Sequence, residues 1–430
     1  MLTGTLHESV FASPRLTYVD VAENAIVGGF PVSFSKATLL ERCFLGNNLL
    51  SGGLPAFLGE SSVLERFEAT GNVLGGSIPE FSSRSAITRL ALAGCGLTGT
   101  IPSSLTTLPG LFQLDLDQNS LGGQLPPFAR ADGSLRYLFL SNNELRGNLG
   151  EFLSNLPTRT LEVFYVDNNA ITGSIPTSIG QFPAINTLRL AENLLVGTIP
   201  TEIGHLTAMV DLYLSINGFS GPLPTEIGRM SMLRFLLFNQ NSISGTIPTE
   251  SFASPVLISF DAADNALNGS IPVETRNCRN LLRFTVSNNL IAGDFERAVT
   301  NFPSSLVELW LENMDLTGKI PLSIGRLSNL EQFQVSGNQL TGNIPSEVGN
   351  LRNLTFFQVA YNSLVGRVPP EIARLDKLFQ WLVEGNNLTG ALPSTLGLLT
   401  SLVSLDLSGN AFTGSALVLT QIPSLRKPAW

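Results

Sequence analysis

A short burst of alternating apolar and polar positions, L-x-x-L-x-L, returns along the chain about every 24 residues. The complete unit reads L-x-x-L-x-L-x-x-N-x-L-x-G-x-I-P. It begins seventeen times, from Leu16 and Leu40 through to Leu378 and Leu402. The L-x-L core has the period of two that a short strand has, with the apolar residues turned to one face and the x residues to the other. Three residues cannot bury their leucines alone, so the units are expected to stack as parallel strands around a continuous core. The remaining columns read as a corner. The asparagine has an amide that donates and accepts where the chain turns inward. Stacked every ~4.8 Å, these side chains predict a ladder. The glycine allows a backbone angle or a close approach that a side chain forbids, and the proline fixes the backbone at a point where no donor is needed. Segments such as "TEIGHL" (Thr201 to Leu206) predict a helical turn on the outer side. Two corners depart from the asparagine, at Cys95 and Met314, and three from the proline, at Gly150, Glu296 and Leu417.

These columns predict an α/β solenoid: a right-handed superhelix with a concave parallel sheet and short helical turns on the convex side. The whole of 1–430 reads as a single repeat domain. Residues 1–15 form a partial first unit, 16–425 the seventeen units, and 426–430 a truncated or blunted end, where Arg426, Lys427 and Pro428 would discourage edge pairing. "MLTGTL" fits the later half of a unit, and no polar cap is evident at either end. The chain is therefore expected to be a piece of a longer protein. "FASPRLTYVDVAENAIVGGFP" and "FASPVLISFDAADNALNGSIP" are near copies, which suggests growth by duplication of blocks.

The 24-residue period with L-x-G-x-I-P resembles the plant-type subclass of the leucine-rich repeat family. That subclass includes the ectodomains of receptor-like kinases and receptor-like proteins, and the polygalacturonase-inhibiting proteins. The resemblance covers essentially the whole chain. It implies a recognition function, with a peptide, protein or small hormone bound by the x positions of the strand face, and a second short sheet formed by the L-T-G-x-I-P segments. Paired-cysteine caps, a transmembrane helix and a kinase domain, found in secreted or receptor members, are not in this sequence.

Composition narrows the function. Charged residues are 14% of 430 and the net charge is -9, with no Lys/Arg run, which argues against nucleic acid and an anionic membrane surface. No stretch of 18 apolar residues exists, so no membrane span is expected in this chain, and no leader opens it. The two histidines, His7 and His205, lie in unrelated slots and support no Ser-His-Asp set. Cys43, Cys95 and Cys278 are separated by repeats and read as inert thiols without metal or redox work. No cofactor is expected, and the chain is read as no enzyme.

The reading is a non-catalytic recognition solenoid, the ectodomain of a cell-surface, receptor-like protein with a signalling role. A free-standing secreted inhibitor or cytosolic scaffold is the alternative. Sequons at Asn268, Asn353 and Asn387 are candidate glycosylation acceptors in an extracellular protein. A column of Ser and Thr at position twelve, including Thr98, Thr172, Ser244 and Thr341, raises ice binding as a minor alternative. The expected ligand surface is where outward strand residues change from small and polar to bulky: Tyr137, Phe139, Val163, Tyr165, Asp167, Arg189, Asp211, Tyr213, Phe235 and Leu237, with Trp310 further along. Aromatic residues and arginine dominate binding energetics, and a protein or peptide ligand is the expected partner.

Overall fold

The computed structural model describes residues 1–425 except 14, 127, 129–132 and 155. The expected blunted end, 426–430, lies outside the described residues. The chain forms two compact units, Met1–Phe219 and Ser220–Trp430.

In the N-terminal unit nine three-residue strands run parallel: Tyr18–Asp20, Arg42–Phe44, Arg66–Glu68, Arg89–Ala91, Gln113–Asp115, Tyr137–Phe139, Val163–Tyr165, Thr187–Arg189 and Asp211–Tyr213. Each pairs with the next in register, so a repeat column becomes a row across the sheet: Leu138 faces Phe164, Phe164 faces Leu188, and Leu188 faces Leu212. All four are fully buried. A one-residue slip would turn every such side chain to water, which fixes the register. The C-terminal unit repeats the plan from Phe235–Leu237 to Ser404–Asp406. Phe260 and Phe284 stack with centroids 5.5 Å apart, and Trp381 is fully buried.

The asparagine ladder is present. Asn193 illustrates one rung. Its Oδ1 accepts from the Ile171 amide at 3.0 Å, and its Nδ2 donates to the carbonyls of Val166, Leu190 and Ala191 at 2.9, 3.3 and 3.0 Å. Each rung thus satisfies backbone groups of its own coil and of the preceding one, groups that are costly to bury unpaired. The two off-consensus corners differ. Cys95 Sγ donates to the Ala69 carbonyl at 3.1 Å, which replaces the donor half of the amide. It offers no oxygen to the Leu74 amide. Met314, 5% exposed, replaces neither half. Among the described residues no side-chain oxygen accepts from the Ile291 amide, which occupies the place that Ile171 holds in the Asn193 rung.

The second sheet also forms, with an unexpected pattern of gaps. In the N-terminal unit Thr3–Thr5, Ala25–Gly28 and Leu49–Leu50 pair together, no strand forms over 73–77, and pairing resumes at Thr98–Thr100. In the C-terminal unit Asp315–Thr317 keeps its register with Ala292 to Asp294. Its pairing with the next side strand, Thr341–Gly342, is reduced to the bridge Lys319 to Thr341, beside which the Gln339 amide donates to the Leu316 carbonyl at 2.9 Å. The clearer gap in the side sheet thus lies beside the Cys95 corner.

Two local features were not foreseen. Position eight has a left-handed backbone in every coil. In five coils it is glycine, and elsewhere it is Asn, Gln, Glu, Asp, Tyr361 (φ 49°) or Ile216 (φ 55°). The outer turns are mostly 3-10 helices such as Thr201–His205, which begin after the proline. Where the proline is replaced by Gly150 or Glu296, an α-helix starts two residues earlier in the repeat, Leu149–Leu153 and Phe295–Asn301. A residue before proline is pushed out of the helical region, so removal of the proline frees it. Asn148 and Asp294 then cap these helices, accepting from the amides of Gly150 at 2.8 Å and Glu296 at 3.1 Å.

Candidate recognition surface

The strand face of the N-terminal unit gathers eight of the expected residues. Register puts Tyr137 beside Val163, Phe139 beside Tyr165, Tyr165 beside Arg189, and Arg189 beside Tyr213, with Asp211 one column over beside Thr187. The ring of Phe139 meets that of Tyr165 edge-on, with centroids 5.0 Å apart. The Arg189 guanidinium lies between two phenol rings, 4.4 Å from the centroid of Tyr165 and 4.6 Å from that of Tyr213. These residues are half-buried, because strands ~4.8 Å apart bring bulky neighbours into contact. Each cation–ring contact in such a setting contributes about 0.5–2 kcal/mol. Arg189 is thereby held in one place, and its Nε is enclosed and makes no hydrogen bond.

Several residues that the bulk criterion passed over complete this surface. Phe112 packs edge-on against Tyr137, with centroids 5.4 Å apart, and carries Arg89 over its ring at 4.9 Å. Glu162 accepts from Tyr137 Oη at 3.0 Å and pairs with Arg136 at 2.6 Å. Asp115 and Asp117 leave the strand just before Tyr137–Phe139. Asp117 Oδ1 accepts from the Ser141 amide at 2.5 Å, and Ser141 Oγ donates to Asp167 Oδ2 at 3.0 Å. Asp167 Oδ1 is enclosed without a donor. Burial pushes Asp117 up to about 7, with the charge of Asp115 adding to it. Burial likewise pushes Asp167 up to about 6, against the pull of Ser141 and Arg189. The signal for this group was in the sequence, since Asp117, Ser141 and Asp167 share position seven of three consecutive units.

Phe235, Leu237 and Trp310 belong to the C-terminal unit. Phe235 and Leu237 share one strand, with Arg234 over the Phe235 ring at 5.6 Å. Ser259, Asp261, Arg283 and Thr285 separate them from Trp310, whose neighbours are Thr285 and Gln334. They do not form a single cluster within that unit.

Elsewhere, the three cysteines are free and buried. Burial raises all three thiols, Cys95 to about 11 and Cys278 to about 12. Among the described residues no group of His, Cys, Asp and Glu is placed to hold a metal ion, and no helix is long and apolar enough to cross a membrane. The position-twelve hydroxyls do not form an unbroken row, since Arg146 and the exposed Val196 interrupt it.

The model of the leucine-rich repeat matches residues 134–156, 160–182 and 329–351. No curated protein sequence matches the chain. Among solved structures, the chain is 30% identical to the ectodomain of the Arabidopsis receptor kinase HAESA, solved with an extended IDA peptide hormone ligand. That match has a TM-score of 0.89 and covers 98% of this chain and 75% of that one. It is 28% identical to the plant peptide hormone receptor RGFR1, solved in complex with RGF2, at a TM-score of 0.88 over 99% of this chain and 72% of that one. Against PEPR1 with AtPEP1 the identity is 25% and the TM-score 0.65, over 98% and 73%. The chain belongs to the leucine-rich repeat family, in its plant-type, 24-residue subclass.

Proposed function

We propose that this chain is a non-catalytic recognition module, the ligand-binding ectodomain of a receptor-like protein, and that a peptide or protein ligand lies across the strand face of the N-terminal unit. The observation that carries this reading is the Phe139–Tyr165–Arg189–Tyr213 row, four large side chains on consecutive strands, pre-ordered by their own contacts. Ordered aromatic and arginine side chains lose little entropy on binding, the usual property of energetic hot spots. Neighbours crystallised with peptide hormones support the ligand class.

An extracellular setting accompanies this reading. Asn268 and Asn387 are exposed on side strands and open to glycosylation. Asn353 is less available, because its amide donates to the Ser328 carbonyl at 3.2 Å and accepts from Lys377 at 2.8 Å.

The test is selection of binders from a displayed random-peptide library, followed by titration of the best binder against variants. Tyr165→Ala and Tyr213→Ala should each weaken it by more than ~1 kcal/mol, with the fold intact by circular dichroism. Gln358→Ala, on the strand face of the C-terminal unit, should leave it unchanged. Selected peptides that bind both tyrosine variants as well as the parent would refute this placement.

A further inference from the structure

We propose that Asp117 and Asp167, joined through Ser141, form a proton-operated pair that removes two negative charges from the strand face of the N-terminal unit in mild acid. The inference rests on reading that face as the ligand surface, and it supplies a regulation for it.

One serine links the two carboxylates and commits both of its donors to them, the amide to Asp117 at 2.5 Å and the hydroxyl to Asp167 at 3.0 Å. Among the described residues neither acid has a cationic partner at ion-pair distance. The Arg189 guanidinium is held between two phenol rings, and Asp167 Oδ1 is enclosed without a hydrogen bond of good geometry, although the Ala191 amide, like Ser141, favours its charged form. An enclosed carboxylate oxygen without a donor favours the protonated acid, because a charge is costly to keep out of water unless it is paired.

The groups facing the pair do not reverse this. Asp115 lies on the same strand exit, with Glu68 behind it, and both are acidic. Arg89 is drawn toward the Phe112 ring. Phe139 and Tyr137 are uncharged and belong to the intervening strand. On the far side stand Tyr165, Arg189, Glu192, Asp211 and Tyr213. Arg189 is thus one cation among several acids. Burial and this crowding lift both carboxyls into the mildly acidic range, Asp117 to about 7 and Asp167 to about 6.

The sign follows. The folded chain holds these protons more tightly than the unfolded chain, whose aspartates titrate near ~3.9. Stability contributed by the pair is therefore greatest below the unfolded value and declines as pH rises through the folded values.

The experiment is a carbon-13 NMR titration of aspartate-labelled protein between pH 4 and 9, with the two signals assigned through Asp117→Asn and Asp167→Asn. Two side-chain carboxyl signals with midpoints above pH 5.5 are expected, and Ser141→Ala should move the Asp167 midpoint further upward by removing a bond to the charged form. Midpoints below pH 5 for both signals would overturn the proposal, as would a Ser141→Ala protein in which Asp167 does not move. Urea unfolding of the parent and of Asp117→Asn gives a readout that needs no assignment. The variant should have the higher midpoint at pH 8, with the gap closing by pH 5, and a gap independent of pH also overturns the proposal. These measurements involve no ligand, so their failure would leave the tyrosine test of the binding face standing, and the reverse holds as well.

Discussion

Replacing Met314 by asparagine should repair the one corner where the ladder has neither donor nor acceptor. In the neighbouring rungs Leu267 donates to Asn289 Oδ1 at 2.9 Å and Leu316 to Asn338 Oδ1 at 3.1 Å. Ile291 occupies the equivalent place opposite Met314. The carbonyls that a new amide would reach, Val286 and Leu311, each accept from one ladder asparagine, Asn289 and Asn338. Elsewhere such a carbonyl takes two, as Leu140 does from Asn143 and Asn169. Pairing the buried Ile291 amide is worth roughly 1–3 kcal/mol, and two further hydrogen bonds about 0.5–1.5 kcal/mol each. Against this stands the burial of the methionine side chain, about 1.5–3 kcal/mol. The net gain is about 1.5 kcal/mol, close to a tenfold change in an equilibrium constant. Amide hydrogen exchange reads it locally. In the parent, Ile291 should exchange at least tenfold faster than Leu267 and Leu316, and in Met314→Asn it should slow to their rate. If Ile291 is already as protected as its neighbours, or if the variant leaves its exchange unchanged, the reasoning about the corner fails.

Two further outcomes follow from the same geometry. Iodoacetamide at pH 8 should label none of Cys43, Cys95 and Cys278 in the folded chain, since all are buried with raised thiols, and all three after unfolding without reductant; mass spectrometry showing two thiols still blocked after unfolding would reveal a bridge that the stacking does not allow. Ile216 holds a β-branched side chain at φ 55°, where the left-handed backbone costs roughly 1–2 kcal/mol, so Ile216→Asn should raise the denaturation midpoint by an amount equivalent to about 1 kcal/mol, and an unchanged or lower midpoint would show that the strain is relieved elsewhere.

The repeat made the fold readable because each column has a single physical job. Leu138, Phe164 and Leu188 announce a buried row, and the asparagines announce the ladder, before any coordinate is known. The left-handed turn at position eight was hidden because no one residue type marks it. Glycine appears there in some coils, but Glu192 and Ile216 in others, and the conformation is imposed by the corner rather than chosen by the residue. The α-helical turns at Leu149–Leu153 and Phe295–Asn301 could have been read from the missing prolines together with Asn148 and Asp294, since a cap and the loss of a helix breaker point the same way. On the strand face, bulk located Tyr165 and Tyr213, whereas the acids needed a second criterion. Asp117 matters because Ser141 and Asp167 occupy the same column on the strands that follow it, and a search for large residues ignores that column.

The two imperfect corners have a consequence for how the chain comes apart. In a stack where each coil touches only its neighbours, cooperativity passes from one coil to the next and has no other route. A junction where the side-strand pairing is interrupted acts like the perforation in a sheet of stamps. The gap over 73–77 beside Cys95 and the lone bridge at Lys319 beside Met314 are such lines. Under denaturant or force, tearing should start there, leaving blocks of intact coils, and the lengths of those blocks are written in the sequence by two residues that are not asparagine.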